Sequence, residues 1–260
     1  MASGYLEIAL QDGVATVMLN RPPANAIDQD MYIQIAQLFA NPDQIGAEVR
    51  VIVLTGKGKH FCGGNDLQEF ATMTPENGTE RMWRVREAFF AIQDCPVPVV
   101  GAVAGAAVGT GLAIAASCDF VVASSDARFG LPELTVGVMG GARHLARIAP
   151  QPLVRRMFLT GDVLRADAFA SAGGSIIICD PAQLMDTALA YARRIASHSP
   201  QASRIGKMIL NRIEWMDLRT GYEFEQRYTV SQSADPDARE ALAATMEKRQ
   251  PKYRAFNSKD

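Results

Sequence analysis

The sequence lacks the cysteine and histidine patterns that identify several classes of protein. Its four cysteines, Cys62, Cys95, Cys118 and Cys179, form no C-x-x-C pair, so their spacing suggests neither a zinc site nor a disulfide framework. The three histidines are scattered and do not form a metal-binding pattern. We therefore expect reduced thiols, no metal site and a cytoplasmic protein.

An excess of charge of either sign is also missing. Lys and Arg together number 26 and Asp and Glu number 28, which gives a formal net charge of -2 at pH 7. This balance gives no reason to expect a nucleic-acid partner or an anionic membrane surface as a partner. Any anionic ligand must be bound by local groups.

No hydrophobic run is long and continuous enough to predict a membrane helix. The most apolar stretch, residues 97–116, is interrupted by Pro98 and four glycines, which favours a strand, a turn and a buried helix. The N-terminal sequence MASGYLEIALQDG lacks the basic and apolar segments of a signal peptide. With 48% hydrophobic residues among 260, the chain is expected to form one large core, or one core with a small appendage.

Strands and helices are predicted to alternate in the first half of the chain. Asp12-Gly13 lies between two apolar alternating runs and predicts a hairpin, and Asp28 is a candidate N-cap for the helix that follows. We predict strands over residues 6–10, 14–19, 49–55, 97–103 and 118–124, and helices from Asp28 to Asn41, over 80–93 and from Gly109.

The pattern changes after about Gly140. Successive helical segments follow, with a short apolar strand at 176–178 and long amphipathic helices from Ala182 to the C-terminus. The sequence thus predicts an α/β core followed by a helical C-terminal region.

Three segments contain the residues that indicate a chemistry. They are GKHFCGGNDLQEF at 58–70, AVAGAAVGTGLAIAASCDF at 102–120 and ARFGLPELTVGV at 127–138. Together they resemble the enoyl-CoA hydratase/isomerase family of the crotonase superfamily. In that family, two strand-to-helix turns each offer a backbone N–H to a thioester oxygen, and a carboxylate from a third segment moves protons beside the α-carbon.

The resemblance implies two backbone donors for this oxyanion hole. Residues 61–66 resemble the family's Phe-x-x-Gly-x-Asp turn and imply the N–H of Asn65 as the first donor. Residues 109–111 resemble its Gly-Gly-Gly turn and imply the N–H of Thr110, where threonine replaces the central glycine and keeps the N–H. Preorganised N–H groups and the positive end of a helix both stabilise an oxyanion.

Each glycine turn alone has simpler explanations, such as tight turns and close packing. A dinucleotide-binding fingerprint would need a third small residue where Ile114 stands, and the segment GKGK is followed by His60 and Phe61, unlike a phosphate-binding P-loop. Cys62 has no base paired with it in the sequence, which favours buried packing over a nucleophile. Both turns in order, with the third segment, favour the oxyanion hole.

Glu133 is the candidate general acid and base. It follows Pro132 in a mostly apolar stretch, where desolvation would raise its pKa, and the resemblance places it at the family's second glutamate. Without the resemblance, a surface carboxylate in a Pro-Glu turn is the simpler interpretation. The family's hydratases have another glutamate where this chain has Ala113. One carboxylate suffices for double-bond isomerisation, which we therefore expect in preference to hydration.

The resemblance also implies contacts with the coenzyme A part of the substrate. Residues 21–26 resemble the family's Arg-Pro-x-x-Asn-Ala stretch, and the first turn contributes backbone. Asp66 is in addition expected to accept hydrogen bonds from local backbone. The implied substrate-binding residues are Ala24, Gly63, Gly64, Asp66, Leu67 and Gly109.

Arg143 and His144 are further candidates, in a segment a few residues shorter than the family's pattern. His144 is a candidate acid, base or water-holding group if it faces the pocket. The alternative is that both residues lie on a helix surface or at a subunit interface. The segment therefore leaves the pocket floor and the substrate choice open.

A crotonase-like fold is α/β, a spiral of ββα units with a C-terminal helical trimerisation region. On this basis residues 1–195 form the core with the coenzyme A and active sites, and residues 196–260 form a helical region for oligomerisation and pocket closure. The expected partner is an acyl-CoA thioester, with no separate cofactor, in a homotrimer or dimer of trimers. A non-catalytic acyl-CoA-binding homologue, and decarboxylation or thioester hydrolysis on the same scaffold, remain alternatives.

Overall fold

The structure, a computed structural model, describes residues 2–254, in which two β-sheets are surrounded by helices. The strands are β1 (Ala2–Ser3), β2 (Leu6–Gln11), β3 (Val14–Leu19), β4 (Val51–Gly56), β5 (Val99–Val103), β6 (Ala106–Val108), β7 (Phe120–Ser124), β8 (Arg128–Gly130), β9 (Val163–Arg165) and β10 (Ile177–Cys179). The α-helices are α1 (Gln29–Ala40), α2 (Leu67–Phe70), α3 (Pro75–Gln93), α4 (Thr110–Ser117), α5 (Ala142–Ile148), α6 (Gln151–Thr160), α7 (Ala166–Ser171), α8 (Leu184–Ala196), α9 (Pro200–Ile213), α10 (Leu218–Gln232) and α11 (Pro236–Met246). Short 3-10 helices cover Pro42–Gln44, Glu133–Val136 and Pro181–Gln183.

The larger sheet begins as an antiparallel hairpin and continues with parallel strands. Its order is β1-β2-β3-β4-β5-β7-β10, and β3, β4, β5, β7 and β10 run parallel. Parallel neighbours need crossover connections, which α1, α3 and α4 provide between successive strands. In the smaller sheet, β8 pairs parallel with β6 and antiparallel with β9.

Helices cover both faces of the larger sheet. On one face, α1, α3 and α4 pack over the sheet in the main core. On the other face, α8 packs through small and aliphatic side chains against β4, β5 and β7. Because β4 and β5 are buried on both faces, their sequences are nearly continuous runs of valine and other apolar residues.

Most of the predicted elements are present, with shifted ends. The hairpin turns at Asp12 and Gly13, which both have positive φ, and the Asp28 side chain caps α1 by accepting from the Met31 N–H. The helix predicted over 80–93 instead begins at Pro75, because Thr74 and Asn77 form a capping box. The smaller sheet was not predicted, because its short strands pair through contacts between segments that are distant in the sequence.

The last three helices bury few side chains of their own. Lys207 of α9 is an exception, since it is 4% exposed and donates to the carbonyls of Ile92 and Val97. No helix within residues 2–254 is apolar over enough length to span a membrane. Large apolar side chains are exposed on these helices, namely Leu210, Leu218, Tyr222, Val230, Leu242 and Met246.

Candidate active site

The loop before the first turn is held by the buried side chain of Asn25. Its Nδ2 donates to the carbonyls of Lys57 at 3.0 Å and His60 at 2.8 Å, and its Oδ1 accepts from the Arg21 N–H at 2.9 Å. Asn25 has φ of 52°, a conformation that asparagine tolerates better than most residues. The Asn25 side chain thus shapes the first turn, and a contact between residues 21–26 and coenzyme A stays a prediction.

The first turn leaves the Asn65 N–H directed away from its neighbours. Ile27 donates to the Gly64 carbonyl and its own carbonyl accepts from the Asp66 N–H, both at 2.9 Å. Backbone groups alternate in direction along an extended chain, so the Asn65 N–H points to the opposite side. It donates to no protein acceptor within residues 2–254.

The second turn joins β6 to α4 through Gly109, whose φ of 58° and ψ of -121° suit glycine alone. Thr110 is the first residue of α4, so its N–H has no acceptor inside the helix. Among the described residues no other group accepts from it. Gly111 lies so close to the Cys62 carbonyl that any side chain there would overlap it. The helix N-terminus is thereby packed directly onto the first turn.

The two turns are connected by backbone hydrogen bonds. The Cys62 N–H donates to Ala106 at 2.9 Å, and the Val108 N–H donates to the Cys62 carbonyl at 3.1 Å. The Cys62 thiol itself is fully buried, and burial raises its pKa to about 12. It therefore packs inside the protein and is not a thiolate at neutral pH.

A cavity of about 180 Å³ lies between the turns and the 3-10 helix that starts at Glu133. Apolar side chains such as Phe70, Val108, Val136 and Val138 form much of its wall. Residues implicated by the sequence also line it, namely Gly63, Gly64, Asn65, Leu67, Gly109, Thr110 and Glu133.

Glu133 provides the one titratable side chain among the described residues that line this cavity. It is half-buried, its Oε2 is buried without a hydrogen-bond partner, and burial raises its pKa to about 7. A pKa near neutrality suits a group that both accepts and returns a proton. Ala113, at the position of the missing second glutamate, is 1% exposed in the core and does not line the cavity.

Two of the expected coenzyme A contacts do not line the cavity. Ala24 lies behind the first turn, where its carbonyl accepts from the Gly63 N–H at 2.8 Å. Asp66 caps α2 by accepting from the Gln68 N–H, and it pairs with Arg21 at 2.5 Å. The Arg21 hydrogen bond is the main reason why the pKa of Asp66 is lowered. Its capping role agrees with the expectation that it accepts bonds from local backbone.

Arg143 and His144 also do not line the cavity of Glu133. The Arg143 guanidinium lies 3.8 Å from the ring centre of Trp215, in a separate cavity. His144 packs edge-on against Phe89, and burial together with nearby arginines lowers its pKa to about 4. The imidazole is therefore neutral at physiological pH.

Tyr32 is a residue of the site that sequence analysis missed. It is 1% exposed, and its hydroxyl lies 2.5 Å from Asn65 Oδ1 and 2.9 Å from Thr110 Oγ1. The available signal was its position three residues before Ile35 on the core face of α1. A tyrosine buried at such a position needs a polar partner for its hydroxyl.

Comparison with known proteins places the chain in a family. The family model for Enoyl-CoA hydratase/isomerase matches residues 9–256. The (7aS)-7a-methyl-1,5-dioxo-2,3,5,6,7,7a-hexahydro-1H-indene-carboxyl-CoA hydrolase of Rhodococcus jostii is 34% identical and covers 84% of each chain. The short-chain-enoyl-CoA hydratase of Clostridium acetobutylicum is 32% identical, over 91% of this chain and 92% of that protein.

The structural comparison gives the same result. The crystal structure of an enoyl-CoA hydratase from Mycobacterium smegmatis superposes with a TM-score of 0.90 at 30% identity, over 96% of this chain and 99% of that chain. The predicted fold is confirmed: the protein has the α/β crotonase fold, and its C-terminal helices fit the trimerisation region of that fold. The chain belongs to the enoyl-CoA hydratase/isomerase family of the crotonase superfamily and is an enzyme of that family.

Proposed function

We propose that the enzyme isomerises the double bond of an enoyl-CoA thioester through an enolate. The observation that carries this proposal is one half-buried carboxylate, Glu133, with a pKa of about 7. It lies beside two backbone N–H groups that donate to no protein acceptor among residues 2–254. Two donors and one base are the groups that enolate formation at a thioester requires.

The proposed reaction moves one proton between two carbons. The Glu133 carboxylate takes a proton from C2 of a 3-enoyl thioester, and the electron pair moves onto the thioester oxygen. The N–H groups of Asn65 and Thr110 hold that oxygen, and one such donor contributes about 3 kcal/mol to lowering the barrier. The carboxylic acid formed at Glu133 then returns the proton to C4, which gives the 2-enoyl thioester.

Isomerisation is favoured over hydration by the residue at position 113. Hydration by the two-glutamate route needs a second carboxylate to hold the attacking water. Ala113 provides none, and the described residues of the cavity contain no other titratable side chain to replace it. The apolar wall of the cavity suits a hydrocarbon acyl chain.

Substrate binding and assembly use other parts of the chain. The coenzyme A part of the substrate passes the first turn near Gly63 and Leu67, and the reaction uses no separate cofactor. Residues 196–260 form the contacts of a homotrimer or dimer of trimers and help to close the pocket of the core at 1–195. The exposed apolar side chains of α9, α10 and α11 support such contacts. Residues 255–260 lie outside the described part of this region. A cytoplasmic location remains a prediction from the cysteine pattern.

Hydrolysis is a second candidate function, because relatives from Rhodococcus jostii and Mycobacterium tuberculosis that are 34% and 33% identical are named carboxyl-CoA hydrolases. A single carboxylate that takes a proton from water would use the same two donors. A hydrolase and an isomerase differ in the mass of the product, which makes the two candidates easy to separate.

The test is incubation with 2-enoyl, 3-enoyl, 3-hydroxyacyl and 3-oxoacyl-CoA thioesters, followed by mass and double-bond analysis. An unchanged mass with a moved double bond supports isomerisation. Addition of one water without cleavage would identify a hydratase, and addition of water with bond cleavage would identify a hydrolase. Tight binding without turnover of any thioester would contradict the proposal and favour the non-catalytic alternative.

A further inference from the structure

We propose that the Tyr32 hydroxyl is a positioning group that fixes the N–H donors of Asn65 and Thr110 relative to each other. The inference rests on the proposed function, since it takes these two N–H groups as the donors to one thioester oxygen. It adds a residue from α1 to a site that sequence analysis built from the two turns and Glu133 alone.

The geometry places this hydroxyl between the two turns. It lies 2.5 Å from Asn65 Oδ1 and 2.9 Å from Thr110 Oγ1. Within residues 2–254, neither the Asn65 side chain nor the Thr110 side chain has another hydrogen bond. Tyr32 is thus the one described side chain that joins both turns.

The direction of the two hydrogen bonds follows from the chemistry of the groups. Asn65 Oδ1 accepts and cannot donate, so the single Tyr32 proton points to it. The Thr110 hydroxyl must then donate to the Tyr32 oxygen. Burial raises the pKa of Tyr32 above its usual range, which keeps the phenol protonated at neutral pH. The hydrogen bonds therefore run in one direction, from the Thr110 hydroxyl to Tyr32 and from the Tyr32 hydroxyl to Asn65 Oδ1.

The oxyanion hole needs this kind of support because its donors belong to different segments. An N–H must lie about 2.7–3.1 Å from the developing oxyanion, and both donors must meet this requirement at once. The two residues that supply these N–H groups, Asn65 and Thr110, are the same residues whose side chains Tyr32 holds. The ring of Tyr32 is itself fixed by burial and by the edge of Phe89, 6.2 Å between ring centres.

The same contact accounts for threonine at the centre of the second turn. The family pattern has glycine there, and glycine offers no side chain to hold. The Thr110 hydroxyl supplies one, and Asn65 supplies the matching acceptor on the first turn. The Asn65 and Thr110 side chains and the Tyr32 hydroxyl therefore form one hydrogen-bonded chain between the two turns.

The test compares Tyr32→Phe with Tyr191→Phe in the full-length enzyme. Tyr191 is a matched control because its ring packs on Phe120. It belongs to α8, which covers the face of the larger sheet opposite α1. We expect Tyr32→Phe to lower kcat on the order of 10-fold to 100-fold, because small displacements of catalytic groups have effects of this size. KM should change less than about twofold, because misplaced donors weaken the hydrogen bonds to the charged oxyanion much more than those to the neutral carbonyl of the bound substrate.

A readout independent of turnover is the carbonyl stretching frequency of bound butyryl-CoA. Hydrogen bonds from the two N–H groups polarise the thioester carbonyl and lower this frequency on binding. Tyr32→Phe should reduce the lowering, and Tyr191→Phe should retain it. If the wild type lowers the frequency but isomerises no enoyl-CoA, the proposed function fails while the role of Tyr32 is still decided by this measurement.

A double-mutant cycle with Thr110→Val completes the test. Since both substitutions break the same chain of hydrogen bonds, the double variant should lose much less activity than the product of the single losses. If Tyr32→Phe does not fold, Thr110→Val carries the frequency measurement alone. Wild-type kcat and carbonyl frequency in Tyr32→Phe would overturn the proposal. So would a loss of activity that only follows the folded fraction while the frequency stays unchanged.

Discussion

The carboxylate of Glu133 lies directly against Gly109, so that a Cβ added at Gly109 would stand 3.1 Å from Glu133 Oε1. The same Cβ would lie 3.9 Å from the Cα of Gly64 in the first turn. Gly109 is therefore the point where the base and both oxyanion turns come together. Its missing side chain is what allows the base to approach the helix N-terminus.

Gly109→Ala should reduce activity far more than its effect on stability would suggest. An L-residue held in a backbone conformation that suits glycine alone costs on the order of 1–3 kcal/mol, and the added methyl also displaces Glu133 or the Thr110 N–H. We expect kcat/KM to fall on the order of 100-fold, as a displacement of about 1 Å produces. Urea unfolding and steady-state kinetics measure the two effects.

Gly13→Ala is the matched control for this substitution. Gly13 also has positive φ, at 77°, and a Cβ there would stand 3.2 Å from the Arg50 side chain. It lies in the hairpin between β2 and β3, away from the cavity. An equal loss of activity in both variants would contradict the role given to Gly109.

Glu133→Gln should change how stability depends on pH. The pKa of Glu133 is about 7 in the folded protein against 4.5 for the free group, because burial disfavours the charged form. Between these values the unfolded state has lost the proton while the folded state still holds it. Ionisation of Glu133 therefore contributes a fall in stability as pH rises from 4.5 to 7. The lowered pKa of His144, about 4 against 6.5, contributes an opposite rise over much of this range. Glu133→Gln removes only the fall, so the free energy of unfolding in urea should rise relative to the wild type from pH 4.5 to 7.

The control is Glu223→Gln, which removes an exposed carboxylate from α10. This variant should keep the wild-type dependence of stability on pH. If Glu133→Gln and the wild type gave parallel curves, the raised pKa of Glu133 would be wrong. Glu133→Gln should also lower kcat on the order of 100-fold to 10,000-fold, as loss of a general base does.

The rate should follow the ionisation of the same carboxylate. Only ionised Glu133 can take the C2 proton, so kcat/KM should rise about tenfold per pH unit below 7 and level off above it. The measurement is initial rates on a 3-enoyl thioester from pH 5 to 9. An inflection near 4.5 would show that Glu133 is solvated in the free enzyme.

The sequence predicted the parts of the fold that have strong local signals. Asp12-Gly13 predicts a hairpin turn and Asp28 predicts the start of a helix, and both are found where predicted. The three short strands β6, β8 and β9 have no such signal, because their pairing depends on contacts between distant segments. The Pro75 start of α3 was missed because a capping box with Asn77 is weaker in sequence than one with glutamate.

The candidate site could be predicted where backbone turns define it, and less well where side chains do. The turns at Asn65 and Thr110 line one cavity with Glu133, as the order of the motifs suggested. The directions of Arg143 and His144 depend on how α5 packs, which periodicity in a seven-residue helix does not reveal. Tyr32 is 33 residues from Asn65 and 78 from Thr110, so no local pattern joins them.

Lys207 attaches the C-terminal helix α9 to the core. Lys207 of α9 is buried and forms an ion pair with Asp119 at 3.0 Å, besides its bonds to two carbonyls. Asp119 Oδ2 also accepts from the Val99 N–H at 2.6 Å, at the start of β5. Lys207→Met keeps much of the side-chain volume but leaves these acceptors without their donor.

Removing one partner of a buried pair leaves an uncompensated charge, so Lys207→Met should lower the free energy of unfolding by about 3 kcal/mol. Lys57→Met is the control, because Lys57 pairs with Glu7 at 2.5 Å while its side chain is 50% exposed. An exposed pair contributes at most about 1 kcal/mol, since water and salt screen it. Urea unfolding measures both variants. Equal losses would show that Lys207 does not anchor α9, and the attachment of the helical region would then depend on its apolar contacts alone.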